Sequence, residues 1–480
     1  MKAARLILSV LFLVVFGPRI HAQNNTQPDL SQPWTLQQCI LYARENNIQI
    51  RQSELSVQLA QINLLQSKGN TLPSINGNIS HMYNFGRTID PFTNQFATDK
   101  VLSDNFSVSG SITLFSGFQN YNTILESNYA YLAAKYDLEK MRNDISLNIA
   151  TVYLQILFAD ELVAIAKGQV DITKLQVERV QKLVDAGSLP KSSLFDIQAQ
   201  LASEELNLVN AENQLSISYL NLQQLLDLQS PLKIVKPELD IPSSDVLALS
   251  PSHIYGTALS TMPEIKSAEY KMLSAQRGYK AAMGGYSPRL TLSGSYGTGY
   301  SGASKSITSF TYSGNDTIGF TASTFDPVLT PHLDYTYQTT PFKDQIDQNL
   351  NKSIGLSLTV PLFNRFSVYS SARRAKISQL NAQYSLDLAK NQLEKSVQQA
   401  YADAVAALKK YNASLKTVSA MEESFKYTEQ KFNVNLINSF DYNEAKNRLA
   451  KAKSDLLQAK YDYIFKLKIL DFYQGKQLTL

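Results

Sequence analysis

The chain is written twice, and that constrains its fold more than any other feature. The segment TLPSINGNIS (71–80) returns as YSPRLTLSGS (286–295), with Pro73 on Pro288, Ile50 on Ile265, Ala43 on Ala258 and Ala60 on Ala275, a shift of 215. Farther on, TLFSGFQNY (113–121) returns as PLFNRFSVY (361–369) at a shift of 248, which also pairs Leu132 with Leu380, Tyr136 with Tyr384, Leu138 with Leu386, Tyr153 with Tyr401 and Leu201 with Leu449. The shifts differ by 33 residues, so the surplus falls in the second copy, where the Ser-, Thr-, Gly- and Tyr-rich stretch 301–352 reads as an enlarged loop. A duplication with one enlarged loop accounts for the whole length, where length alone would suggest about three domains. The expected division is a first repeat at 23–229, a linker at 230–249 and a second repeat at 250–480.

Two periodicities alternate inside each copy. NFSVSGSITLF (105–115) sets Phe106, Val108, Ile112 and Leu114 against Ser107, Ser109, Ser111 and Thr113, and SIGLSLTV (353–360) does the same. Period two marks strands with one apolar face. PSINGNISHMY (73–83) and PRLTLSGSYGTGY (288–300) are the expected hairpin partners, each behind a proline that ends a helix. The rest is helical: from Phe366 to Leu480 there is no proline and only Gly475 among glycines. Its apolar stripe includes Leu386, Ala389, Leu393, Val397, Ala400, Ala404, Leu408, Tyr411, Leu415 and Val418. Steps of three and four suit long helices packed as coiled coils. The first copy repeats this from about Tyr121 to Asp185, then breaks at DAGSLPKSS (185–193). A run of some 65 residues would be close to 100 Å long, more than a compact domain needs.

Lys2, Arg5, the apolar run Leu6–Phe16 and the small-residue end at Ala22 have the layout of a secretory signal peptide, expected to occupy residues 1–22. No later segment reads as uniformly apolar over the 18 or so residues a spanning helix needs, so membrane insertion would rest on the strands. Their length of about 10 residues suits a tilted bilayer span. Four strands cannot close a barrel, whose smallest form has about eight, and lipid does not tolerate open edges. The chain is therefore expected to oligomerise; strand count alone allows a dimer, trimer or tetramer.

Other chemistries find little support. The single Cys39 excludes intrachain disulfides and reads as a buried helix residue. A net charge of +4 over 480 residues makes no electrostatic case for nucleic acid as a partner. GTGYSG (297–302) has the glycines of a dinucleotide loop but no helix opens after it. His81, His253 and His332 lack metal-ligand spacing, and no nucleophile has a base nearby in sequence, so neither a metal, a cofactor nor catalysis is expected. Tyr83, Phe85, Phe115, Tyr296, Tyr300 and Phe363 lie near expected strand ends, where aromatic rings favour a membrane interface.

WTLQQCILYARENNIQI (34–50), TLFSGF and PLFNRF at the strand-to-helix transitions, and KLVDAGSLPKSSLFDIQAQ and KFNVNLINSFDYNEA at the helical breaks together resemble the TolC-like outer membrane efflux proteins. NFGRTIDPFTNQF (84–96) looks like the first extracellular loop of the Bacteroidetes branch of that family. The resemblance covers nearly the whole chain after residue 22. It implies a mainly α protein with membrane β: tandem coiled-coil hairpins plus four strands per chain, a homotrimer with a 12-stranded barrel in the outer membrane lipid, and a periplasmic α-barrel. It also implies a periplasmic adaptor and an inner-membrane pump, of RND or ABC type, as partners of a passive exit duct for efflux or type I secretion. A partner-independent porin and a structural coiled-coil envelope protein are the alternatives; long helices argue against the first and alternating strands against the second.

By the same resemblance Asp441 and Glu444 fall on the periplasmic constriction and Phe432 on an aromatic of the closed gate, while the family's basic gate residue falls on Ile437. The 248 shift sets Asp196 against Glu444 and Ser193 against Asp441. Gly187, Ser188, Leu189, Asn435, Leu436 and Ile437, at the helical reversals, are implied to meet the adaptor. A simpler role is available for several of these residues. Ser193 with Asp196 would form a capping box, and Asn438 would cap ahead of Asp441.

Overall fold

The computed structural model describes residues 32–90, 92–97, 100–237, 249–434, 436–476 and 478. The expected signal peptide, much of the expected linker and Asn435 lie outside the described residues.

Four strands form one antiparallel sheet in the order β1 (Ser74–Asn84), β4 (Val101–Phe115), β5 (Arg289–Ser301), β8 (Asn351–Thr359). Val108 faces Gly77 on one side and Tyr296 on the other, and Leu292 faces Leu356, so the period-two pattern of each strand lands in one common register. One face carries Ile75, Ile79, Phe106, Val108, Ile112, Leu292, Ile354, Leu356 and Leu358; the other carries Asn76, Asn78, Ser107, Ser109, Ser111, Ser293, Ser295 and Ser357. Most of the apolar face is uncovered, with Ile354 82% exposed, as expected of a lipid-facing band, while toward its far end Phe106 packs on Phe342 with ring centroids 6.3 Å apart. β1 and β8 present free edges. Between β1 and β4 the short pair β2 (Thr88–Ile89) and β3 (Phe96–Ala97) shapes a loop.

The stretch 301–352 is not irregular chain. It holds β6 (Lys305–Phe320) and β7 (Pro327–Thr339), paired as a separate ribbon, and the short helix α7 (Phe342–Gln348). At about 3.3 Å per residue, β6 is roughly 50 Å long. Of the strand-end aromatics, Tyr83, Phe85, Phe115, Tyr296 and Phe363 are exposed, and Tyr300 packs on Phe342 at 5.5 Å.

Both strand-to-helix transitions use the same unusual backbone. Phe118 (φ 60°, ψ 14°) and Phe366 (φ 60°, ψ 11°) sit left-handed immediately before two helices of 67 residues, α3 (Gln119–Asp185) and α8 (Ser367–Asn433). Gly117 (φ 61°) precedes the first; a Cβ there would lie 2.3 Å from the Ser287 Cβ, so only glycine fits.

The shorter helices are α1 (Leu36–Asn46), α2 (Ile48–Gly69), α4 (Lys191–Leu226), α5 (Pro251–Thr261), α6 (Pro263–Met283) and α9 (Ser439–Tyr473). On the strand side, α2 packs on α3, α3 on α6, and α6 on α8; beyond the middle, α4 packs on α3, α3 on α9, and α9 on α8. The main apolar core is the junction where α1 meets the long helices, built from Trp34, Leu36, Cys39, Ile50, Ile149, Tyr153, Ile156 and Leu222. α3 contributes a segment apolar and long enough to cross a membrane, which the sequence reading passed over; its residues Ile149, Tyr153, Ile156 and Leu157 are buried in this core instead. Burial pushes the Cys39 thiol up to about 12, consistent with an inert packing residue. In α8 the predicted stripe is buried at Leu386, Leu393, Val397, Ala400, Ala404 and Val418, with Leu415 exposed.

Candidate functional site at the helical hairpin tips

Each long helix ends in a reversal closed by the same six-to-one hydrogen bond. After α3, Ser188 N–H donates to Leu183 O at 2.8 Å and Gly187 N–H to Val184 O at 2.9 Å, with Gly187 at φ 72°. This is a Schellman turn, which glycine enters without Cβ strain. After α8, Leu436 N–H donates to Lys431 O at 2.9 Å.

The next helices start differently. α4 begins at Lys191 behind Pro190, with no side-chain cap and no acid in its first turn. The expected Ser193–Asp196 capping box does not form, because Pro190 starts the helix a few residues earlier and carries both side chains past the capping position. α9 begins with the Asn438 side chain accepting the Asp441 N–H at 2.8 Å, and Asp441 lies in its first turn.

Between the two reversals lies a cleft of about 460 Å³, lined among others by Ser188, Leu189, Phe432, Leu436, Ile437 and Tyr442. At its centre Phe432 stacks on Tyr442 with ring centroids 4.4 Å apart. Gln176 Nε2 donates to the Tyr442 hydroxyl at 2.8 Å. Arg179 Nη1 donates to Asn433 Oδ1 at 3.0 Å, and its guanidinium lies 5.7 Å from the Phe432 ring centre. Burial pushes the Tyr442 hydroxyl above its ordinary pKa, so it stays neutral here. Sequence reasoning missed Gln176 and Arg179, which α3 delivers from 254 or more residues away.

The acids lie on another face. Along α9, Tyr442 and Lys446 are buried four residues apart, whereas Asp441, Glu444 and Arg448 are exposed. Glu444 pairs with Arg448 one turn on. Among the described residues the Asp441 carboxylate has no ion-pair partner. Asp196 is exposed on α4, and Gly187 is exposed at the first tip. The structure thus gathers Ser188, Leu189, Phe432, Leu436 and Ile437 about one cleft and leaves Asp441, Glu444 and Asp196 outside it.

A second missed cluster lies deeper. Lys446 and Glu204 are 4% and 5% exposed, with Lys446 Nζ 3.5 Å from Glu204 Oε1 and 2.6 Å from Thr173 Oγ1. Thr173 bonds the other Glu204 oxygen, and Gln200 Nε2 donates to Glu204 Oε1 at 3.0 Å. Burial holds the Lys446 ammonium below its ordinary pKa, and the Glu204 carboxylate opposes that shift. The cluster ties α9 to both arms of the α3–α4 hairpin. Nothing local in NEAKNRLAKAKS (443–454) marks Lys446 among its lysines.

The family model described as "Outer membrane efflux protein" matches residues 40–227 and 254–475. Outer membrane protein TolC of Escherichia coli K12 is 22% identical over 450 residues, covering 91% of this chain and 81% of that protein. Outer membrane efflux protein BepC of Brucella suis biovar 1 is 21% identical over 432 residues, covering 90% and 83%. Among solved structures, the outer membrane protein VceC of Vibrio cholerae superposes with a TM-score of 0.72 at 14% identity, covering 92% of this chain and 96% of that one. The outer-membrane channel OprN gives 0.70 at 16% identity, covering 92% and 90%. At those identities the superpositions speak to the fold.

Proposed function

This chain belongs to the outer membrane efflux protein family, and from that premise we propose how its geometry is used. It is an outer membrane efflux channel with a long periplasmic helical extension, a class of proteins that conducts solutes and is not a class of enzymes. Three copies close a 12-stranded barrel by joining the free edge of β8 to the free edge of β1 in the next copy, which leaves no unpaired backbone in lipid. The exposed apolar face meets outer membrane lipid and the hydroxyl face lines the lumen. The division into repeats at 23–229 and 250–480 about a linker at 230–249 belongs to the same reading.

The hairpin tips form the periplasmic end. Gly187, Ser188, Leu189, Leu436 and Ile437, with Asn435 beyond the described residues, present the surface that a periplasmic adaptor grips, and the adaptor joins the duct to an inner-membrane pump of RND or ABC type. Asp441 and Glu444, with Asp196 on the neighbouring helix, form an acidic ring where the tunnel narrows. The observation that carries this is the facing of α9: Tyr442 and Lys446 take the packed side, and Asp441 and Glu444 are left on the open side. Phe432 belongs to the gate through its stack on Tyr442, and Arg179 on α3 supplies the positive charge near it that Ile437 cannot. Carboxylates crowded around a threefold axis attract cations and bind divalent ions. In planar bilayers, Asp441→Asn with Glu444→Gln is expected to lower cation selectivity and weaken divalent block. Unchanged selectivity would overturn the assignment.

A further inference from the structure

The hydroxyl face of the sheet is open along most of its height and covered at one end. Ser109, Ser293 and Ser295 are exposed, but Ser301 and Val101, at the far end of the same face, are 0% and 5% exposed. What covers Ser301 is the loop between β1 and β4. Asp90, 1% exposed, accepts the Ser301 hydroxyl and the backbone N–H groups of Phe92 at 3.1 Å and Thr93 at 2.8 Å. The Phe92 ring lies over Gly299: a Cβ on Gly299 would come within 2.0 Å of Phe92 Cζ. Gly299 and Ser301 alternate with Tyr300 and continue the face of Ser293, Ser295 and Gly297. The loop therefore folds back over the hydroxyl side, away from the side that carries Ile354 and Leu356.

The fold-back is built rather than draped. Within the loop, Asp90 N–H donates to Gln95 O at 3.0 Å and Asn94 N–H to Asp90 O at 2.9 Å. On the opposite flank Gln345, 1% exposed, takes the place that β8 vacates. Its Nε2 donates to Ser301 O at 3.0 Å and its Oε1 accepts the Ser301 N–H at 2.9 Å. Buried polar groups satisfied this completely hold one geometry. The residues that point away from the anchor are exposed: Ile89, Gln95 and Phe96, with the Arg87 guanidinium 4.6 Å from the Phe96 ring centre.

We propose that this loop is a second, width-setting constriction of the lumen at the end opposite the helical tips, anchored by Asp90 on Ser301 and by Phe92 on Gly299. It rests on the reading that three copies close the barrel, because a constriction needs a closed lumen with one such loop from each copy. The loop makes the exit selective by solute size, and Asp90 acts as a positioning residue whose removal lets the loop swing out of the lumen.

The test uses the full-length protein in planar bilayers. Gln95→Cys places a thiol on the exposed side of the loop, while native Cys39 is wholly buried and stays unreactive. A bulky charged thiol reagent added from the loop side is expected to cut conductance in steps, one per copy, and a reducing agent to restore it. Asp90→Ala and Phe92→Ala are each expected to raise conductance and shift the polymer-exclusion cutoff, measured from that side, to larger polymers. Channels that ignore the reagent and keep the wild-type cutoff in both alanine variants would overturn the constriction and leave the efflux duct standing. A wild-type protein that forms no channel would overturn both.

Discussion

At the α3–α4 reversal the chain turns on Gly187 and restarts behind Pro190, with no side-chain cap; at the α8–α9 reversal it closes the same six-to-one bond and restarts on the Asn438 cap with Asp441 following. The two tips occupy equivalent places in a duplicated fold, so their differences separate what a reversal requires from what this protein adds. A helix here can begin without any acid, as α4 does. Asn438 already satisfies the Asp441 N–H, and Glu444 faces outward to Arg448. Helix initiation therefore does not account for the acid pair, which the fold leaves on the open side of α9. The tips also differ in how they are held: α9 inserts Lys446 against Glu204 and Thr173 of the other hairpin, so any outward movement of α9 must separate a buried ion pair.

That last contrast gives the largest expected effect. Lys446→Met alone strands the buried Glu204 carboxylate and should destabilise the protein by about 3–5 kcal/mol, read from chemical denaturation in detergent. Adding Glu204→Leu should recover most of the loss, since apolar groups of similar volume replace a buried pair at little cost. Equal losses in the single and double variants would show that the two hairpins are not coupled through this pair. The pair also has a pH signature. The folded Lys446 pKa lies below the ordinary 10.5, so between those values the unfolded chain binds more protons and stability rises with pH. The double variant should lack that rise.

Making the first tip behave worse than the second is the next test. Gly187→Val forces a branched side chain to φ 72° in open space, where only the backbone resists, and should cost roughly 1–2 kcal/mol. Gly187→Asn should cost less, as asparagine enters this region more readily. Limited proteolysis at the tip would rank the three proteins. Removing the distinctive cap of the second tip, Asn438→Ala, should cost about 1 kcal/mol and fray the start of α9, visible as faster amide exchange there. Glu444→Gln should change stability least, by about 0.3–0.5 kcal/mol, because its bond to Arg448 is an exposed pair one helical turn apart. Its effect should appear in ion selectivity instead.

The four sheet strands were legible because a strand facing lipid on one side and water on the other must alternate strictly, and Phe106–Leu114 and Ile354–Leu358 do. β6 escaped the same reading. Its ladder with β7 shifts register between Ile307 and Ser309, Tyr312 and Gly314, and Thr317 and Gly319, so its apolar residues drift out of period two while the ribbon keeps Phe310, Tyr312, Leu333 and Tyr335 on one face. Pro331 further disguises β7 as loop. At the tips, Gly187 was readable from its residue type, since a reversal after a long helix favours the one residue that accepts a positive φ. Gln176, Arg179, Glu204 and Lys446 were not, because a single polar residue in a helix looks the same whether it meets water or a partner hundreds of residues away.

Sequence by itself determined the duplication and the position of the acid pair, which are read directly from residue order, and the two long helices and the alternating strands, because these repeat at short periods imposed by backbone hydrogen bonding. Only the tertiary structure decided which way α9 turns those acids, that Arg179 stands beside Phe432, that Lys446 and Glu204 share a buried site, and that the β1–β4 loop lies on the hydroxyl face at Gly299. These depend on which side chains meet across helices and strands far apart in the chain. Burial and satisfied hydrogen bonds select such meetings, and no local pattern encodes them.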